Sequence, residues 1–212
     1  MKKTIRSKIA LAKPFLYYFL SAFFLLYEMG VQSSPSVMAT HLMADLHVGA
    51  AALGSAMGVY FFSYTLMQIP VGLLYDRFST KLILLTASLL CAVGTYLFSV
   101  GAGVWMLGLA RLITGFGSAF AFVGVLVVAN QWFSARHFAL LVGIAQLLAA
   151  VGAMMGEMPL AYWVHAFGWR YASALLAFIG LGLSVIILLF FQRSPHDQTK
   201  KRAAKTQKPL QS

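Results

Sequence analysis

Six long apolar stretches divide the chain, and short polar segments separate them. The stretches run approximately over residues 14–37, 50–73, 82–101, 104–129, 138–160 and 171–191. An α-helix rises about 1.5 Å per residue, so roughly 20 apolar residues cross a hydrocarbon core of about 30 Å. The pattern predicts an all-α membrane protein with six transmembrane helices over residues 14–192. A basic segment over residues 1–13 precedes this bundle and a polar tail over residues 193–212 follows it.

The composition supports a lipid environment. Hydrophobic residues make up 60% of the chain and charged residues only 10%, whereas soluble domains carry about 25% charged residues. A bilayer accepts an apolar protein surface that water does not. The basic N-terminus followed by an apolar stretch also has the outline of a signal peptide. Glu28 within that stretch suits a buried helix better than a cleaved segment.

The basic residues alternate with the spans. All of the 16 Lys and Arg residues except Arg111 and Arg170 fall on one predicted side, in the N-terminus, the 2–3 and 4–5 connections and the tail. Cytoplasmic loops are the ones enriched in Lys and Arg. The bias predicts a multi-pass protein of the plasma (inner) membrane with both termini cytoplasmic and a disordered cytoplasmic tail. Contact with anionic lipid explains the net charge of +11, so no nucleic-acid partner is expected.

The segment after the second span carries the most specific motif, GLLYDRFSTK over residues 72–81. It resembles the major facilitator signature G-x-x-x-D-R-x-G-R-R/K, at the same place between helices two and three. Four positions match: Gly72, Asp76, Arg77 and Lys81. Ser79 stands where a second glycine is usual, and Thr80 replaces a basic residue. The resemblance implies a cytoplasmic gating latch, in which a carboxylate meets the positive end of a neighbouring helix.

Two charged residues lie inside the predicted spans. Arg111 begins a segment, RLITG, that resembles the arginine motif of the family's fourth helix and includes Gly115. Glu28 lies about 21 Å inward from the start of span one, and Arg111 about 10 Å from the opposite face. The two depths nearly coincide in a core of about 30 Å, so we expect the pair to face one cavity. The alternatives are an Arg111 that reaches the outer interface and a protonated Glu28 bonded to a backbone carbonyl.

Glycines four residues apart predict close helix packing in two spans. Span five contains Gly152 and Gly156, and span two contains Gly54 and Gly58. Glu157 follows near the outer end of span five. It is either a hydrated carboxylate at the membrane–water interface or a carboxylate that couples transport to an ion.

The resemblance covers residues 14–192 and implies the N-terminal six-helix half of a major facilitator transporter, built as a 3+3 inverted repeat. It implies transport of a small solute, such as an amino acid, a dipeptide or an organic anion, with proton coupling as one option. The expected partners are the lipid bilayer, the substrate and H⁺, and either a separate C-terminal half or a second copy. The alternative is a truncated, transport-inactive chain or an assembly partner. No histidine lies at the depth of Ser118 to activate it, and no metal motif occurs, so no enzyme activity, cofactor or metal is expected.

Overall fold

The computed structural model describes the backbone of residues 2–192 and the side chains of residues 13–192. The predicted tail, 193–212, lies outside the described residues. Eight helices make up the described chain: α1 (Lys2–Ser33), α2 (Pro35–Leu46), α3 (Ala50–Arg77), α4 (Thr80–Ser99), α5 (Val104–Trp132), α6 (Ala135–Met155), α7 (Met158–Phe167) and α8 (Trp169–Phe190).

These helices form six spans, as predicted. Spans two, three, four and six are the single helices α3, α4, α5 and α8. Span one joins α1 to α2 and runs Lys13–Leu46, and span five joins α6 to α7 and runs Ala135–Phe167. We call the end of the bundle with the α3–α4 and α5–α6 connections the Asp76 end. The opposite end, where α2 and α7 terminate, is the Asp45 end.

Spans one and five are longer than predicted, because each continues past a break as a short helix. Pro35 is the first residue of α2, where its missing N–H group costs little. Pro159 plays the same part at the second position of α7. The predicted spans left residues 38–49 and 161–170 as connecting loops, and this was wrong at three polar positions: His41 and Asp45 lie within α2, and His165 lies within α7.

Span four is the centre of the bundle. It packs against spans one, two and three, while span six packs chiefly against span three. Span one packs closely on span five, just as span four packs on span two. Exchanging spans 1–3 for spans 4–6 interchanges these two pairs and leaves the pair of spans three and six unchanged, as an inverted 3+3 repeat requires. The exchange does not extend to the close contact of span three with span four, because spans six and one touch only slightly.

Glycines permit the closest of these crossings. A Cβ atom at Gly152 would overlap the Leu26 carbonyl of α1, and one at Gly156 would overlap the Gly30 carbonyl. In α5, a Cβ atom at Gly115 would overlap the Tyr60 carbonyl of α3. Here the backbones of adjacent helices touch without intervening side chains.

Gly54 and Gly58 have a different environment. A Cβ atom at either position would meet nothing within 4 Å. The predicted close packing of this pair is therefore not formed with any described helix of this chain.

Burial is uneven among the spans. In spans one, three and four, more than half of the residues in the most apolar stretch are buried inside the bundle. The buried share is only 17% in span two and 22% in span five. Large apolar side chains of span two, including Phe62 and Ile69, point away from the bundle. Spans two and five, which correspond in the inverted repeat, thus carry the least covered surfaces.

Candidate functional site

Two opposite charges are buried where spans one, two and four meet. Glu28 is 3% exposed and Arg111 is 4% exposed. The Tyr60 hydroxyl donates a hydrogen bond to the Glu28 carboxyl, and the Arg111 guanidinium lies 4.3 Å from the centre of the Tyr60 ring. Tyr60 therefore touches both charged groups. Glu28 and Arg111, both within the described part of the chain, form no direct ion pair within 4 Å, so the predicted partners are joined through Tyr60.

The break in span one supplies the acceptors for Arg111. In a continuous helix the Val31 carbonyl would accept from the N–H group of residue 35, but Pro35 has none. Arg111 Nη1 donates to the Val31 carbonyl at 3.3 Å, and Nη2 donates to the Gln32 carbonyl at 3.4 Å. The carbonyl end of a helix carries partial negative charge, which favours a cation there.

One nitrogen atom of the Arg111 guanidinium has no acceptor in the described part of the chain. This atom, Nε, is buried and has no hydrogen-bond partner among the described residues. The alternative of an arginine that reaches the outer interface does not describe this side chain, because it is enclosed by α1, α3 and α5.

Arg111 also lines a cavity of about 390 Å³. The cavity lies between spans one, two, four and five. Its polar lining consists of Gln32, Ser33, Ser36, Arg111 and Glu157. Its remaining walls are apolar, with Met57 and Phe61 from span two among them.

The sequence-predicted charges thus occupy different places in one region. Glu157 is exposed at the junction of α6 and α7, and it shares the cavity wall with Arg111. Glu28 is absent from that wall, and Tyr60 connects it to Arg111. The Ser118 hydroxyl of α5 also lies near the Glu28 carboxyl. Neutral hydroxyl groups therefore surround the carboxyl, rather than the backbone carbonyl considered from the sequence.

Sequence reasoning missed Tyr60, although a signal for it exists. Tyr60 lies ten residues into span two, and Arg111 lies seven residues into span four. Both spans start at the Asp45 end, so at about 1.5 Å per residue the two side chains differ in depth by roughly 4.5 Å. A hydroxyl-bearing aromatic residue near the depth of two buried charges is a candidate bridge between them.

The motif at the Asp76 end surrounds the connection between α3 and α4. Asp76 and Arg77 are exposed in the last turn of α3, and Gly72 is exposed one turn earlier. Lys81 Nζ donates to the Leu188 carbonyl of α8 at 2.7 Å, so it ties span three to span six. Ser79, which departs from the family pattern, caps α4 by accepting from the Leu82 N–H group at 3.4 Å.

A six-span bundle with buried opposite charges beside an open cavity is the architecture of one half of a membrane transporter. The chain belongs to the Major Facilitator Superfamily, whose family model matches residues 18–212. Members of this family are transporters and not enzymes.

Two bacterial relatives and one solved structure illustrate the likeness. The chain is 30% identical to the "Uncharacterized transporter YybO" of Bacillus subtilis, over 81% of this chain and 39% of the relative. It is 27% identical to the "Probable sulfoacetate transporter SauU" of Cupriavidus necator, over 81% of this chain and 40% of that protein. The chain thus spans about two fifths of the length of these curated relatives.

The solved structure is that of a bacterial homolog to the human lysosomal transporter Spinster, in an inward-facing and unoccupied conformation. It superimposes with a TM-score of 0.77 at 16% sequence identity, over 86% of this chain and 44% of that one. This likeness is one of fold, and it supports the assignment of the six spans to a single major facilitator bundle.

Proposed function

We propose that this chain forms one bundle of a secondary transporter that carries a small organic anion. The observation that carries the proposal is Arg111, a buried cation at the wall of a cavity of about 390 Å³. Cavities of roughly 300–1,000 Å³ with a few polar groups are typical of small-molecule sites.

The surroundings of Arg111 favour an anionic ligand. A charge at membrane depth costs several kcal/mol unless it is paired or hydrated. Arg111 has neutral carbonyls as acceptors and an unpartnered Nε. A carboxylate or sulfonate would supply charge and acceptor oxygens together. The relative named for sulfoacetate supports this class over the amino acids and dipeptides also expected from the sequence.

Proton coupling through Glu28 is the second part of the proposal. A carboxyl buried among hydroxyl groups changes its charge when it gains or loses a proton, and Tyr60 connects that change to Arg111. Glu157, exposed on the cavity wall, is the other candidate for coupling. Both positions suit a carboxyl whose charge alters the electrostatic field at a bound anion.

The proposed transporter also needs a second six-helix bundle. The sparsely covered surfaces of spans two and five support this requirement, because a major facilitator site lies between two bundles that rock against each other. A C-terminal half or a second copy of the chain could supply it, and a chain without it would be inactive in transport. We further propose that the protein lies in the plasma membrane with the Asp76 end on the cytoplasmic side. The gating latch at that end consists of Gly72, Asp76, Arg77 and Lys81.

Solute uptake tests the function. Membrane vesicles from cells with and without the gene would be assayed with sulfonates, carboxylates and sugar acids, and with choline and a neutral sugar for comparison. We expect anion uptake that requires the gene and is lost in Arg111→Gln. Arg136→Gln is the matched control, because it removes a positive charge that is exposed at the Asp76 end. Gene-dependent uptake of choline or the sugar, without uptake of any anion, would refute the proposal.

A further inference from the structure

Two histidines from distant parts of the sequence meet at the Asp45 end. His41 lies in α2 and His165 in α7, and their ring centres are 5.3 Å apart with an angle of 73° between the ring planes. Each belongs to the short helix that follows a break in its span. The proposed transport function makes no use of either ring.

The spacing of the rings suits a shared metal ion. A zinc–imidazole bond of about 2.05 Å places the metal roughly 3.2 Å from the centre of each ring. At a tetrahedral angle of about 109°, two such ring centres are about 5.2 Å apart. The observed 5.3 Å matches this value. Coordination requires the metal to lie in the plane of each ring, along the lone pair of one of its nitrogens. An angle between the two planes is therefore compatible with binding.

The surroundings leave room for water to complete the coordination. His165 is exposed, and His41 lines an open cavity together with Asp45, Trp169 and Arg170. Asp45 accepts hydrogen bonds from Trp169 and Arg170 at 3.2 and 2.9 Å. The pairing of Arg170 with Asp45 leaves no uncompensated cation beside the rings. No set of three or more metal-ligating side chains occurs in the described part of the chain, so the two imidazoles would be the protein ligands.

We propose that His41 and His165 form a binding site for a divalent transition-metal ion of the zinc class. Imidazole nitrogen is a preferred ligand of Zn²⁺, Cu²⁺ and Ni²⁺, whereas Mg²⁺ and Ca²⁺ prefer oxygen. The metal crosslinks α2 to α7, the short helices that follow the breaks in spans one and five. Ser36 and Glu157, which lie at these breaks, line the Arg111 cavity. Metal binding therefore restrains two walls of that cavity at the Asp45 end.

The test is zinc binding by the whole chain, purified without a histidine tag and placed in lipid nanodiscs. Isothermal titration with ZnCl₂ should show one saturable site, and Zn²⁺ should raise the thermal unfolding midpoint. His41→Gln and His165→Gln should each weaken binding by at least about tenfold, because each removes one of two protein ligands. MgCl₂ should produce neither effect.

Three further variants separate metal ligation from a general effect on folding. His165→Cys should retain Zn²⁺ binding, because a thiolate ligates zinc and glutamine does so poorly. His47→Asn is the matched control: this exposed histidine lies at the same end with a φ of 54°, which asparagine tolerates. His137→Gln removes a histidine from the opposite end. Absence of zinc binding in the wild type, unchanged binding in both glutamine variants, or equal loss in His47→Asn would each overturn the proposal.

Discussion

Tyr60 joins the two buried charges through different parts of its side chain. Its hydroxyl donates to Glu28, while its ring lies under Arg111. A phenylalanine at this position would keep the ring and remove the donor. The hydroxyl and the ring therefore have separable contributions to the cluster.

We expect Tyr60→Phe to lower the free energy of unfolding by about 1–3 kcal/mol, because a buried carboxyl loses a hydrogen-bond donor. Thermal unfolding in detergent, followed by circular dichroism, measures this loss. Tyr64→Phe is the matched control, since Tyr64 stacks beside Tyr60 but is only partly buried. An equal loss in both variants would show that the Glu28 contact has no special weight.

Glu28 and Arg111 should depend on each other energetically although they form no direct ion pair. A double-mutant cycle with Glu28→Gln and Arg111→Gln should give a coupling energy of about 0.5–3 kcal/mol. Each single variant leaves the opposite charge buried without compensation, and the double variant does not. The cycle is measured by thermal unfolding, and strictly additive losses would reject the coupling.

At the scale of helices, glycine pairs with the same four-residue spacing lie in different environments in spans five and two. Gly152 meets the backbone of α1, whereas Gly58 of α3 meets nothing within 4 Å. We expect Gly152→Ala to destabilise the chain by at least about 1–3 kcal/mol, because the new methyl group overlaps a backbone carbonyl. Gly58→Ala, the control, should be neutral or stabilise by up to about 1 kcal/mol through helix propensity. Equal unfolding midpoints for the two variants would contradict the tight crossing of α1 and α6.

The number and order of the spans could be predicted, because apolar length alone determines which helices can cross a bilayer. The breaks could not be placed, since the polar run around Ser34–Pro35 has the composition of a loop although a helix resumes there. The shared depth of Glu28 and Arg111 was readable from the helical rise. The role of Tyr60 was not, because it depends on the rotation of three helices about their axes. Likewise, the spacing of Gly54 and Gly58 predicts a helix face without bulky side chains, but it does not identify which helix packs against that face.

At the scale of the whole molecule, the exposed side of span two should be an interface. In a Cys91→Ala background, a cysteine at Ile69, which is 83% exposed, should crosslink to a second bundle when native membranes are treated with a bismaleimide. A cysteine at Leu189, 68% exposed on span six, is the control and should crosslink much less. Identical crosslinking at both positions, or none at Ile69, would argue against a partner on this side.

Hydrogen bonds from cationic side chains to backbone carbonyls hold span six near both of its ends. Lys81 holds the Leu188 carbonyl at 2.7 Å, and Arg170 holds the Gly101 carbonyl at 2.8 Å. These hydrogen bonds oppose sliding of span six (α8) along its own axis. One holds it to span three, and the other holds it to the connection between spans three and four. If a cantilever pulled the chain from its C-terminal side, both links would have to break before α8 could leave the bundle, so they would add to the force that draws its apolar surface out of the bilayer. Their contribution to mechanical resistance can exceed their share of the total stability, because forced unfolding follows the barrier to rupture.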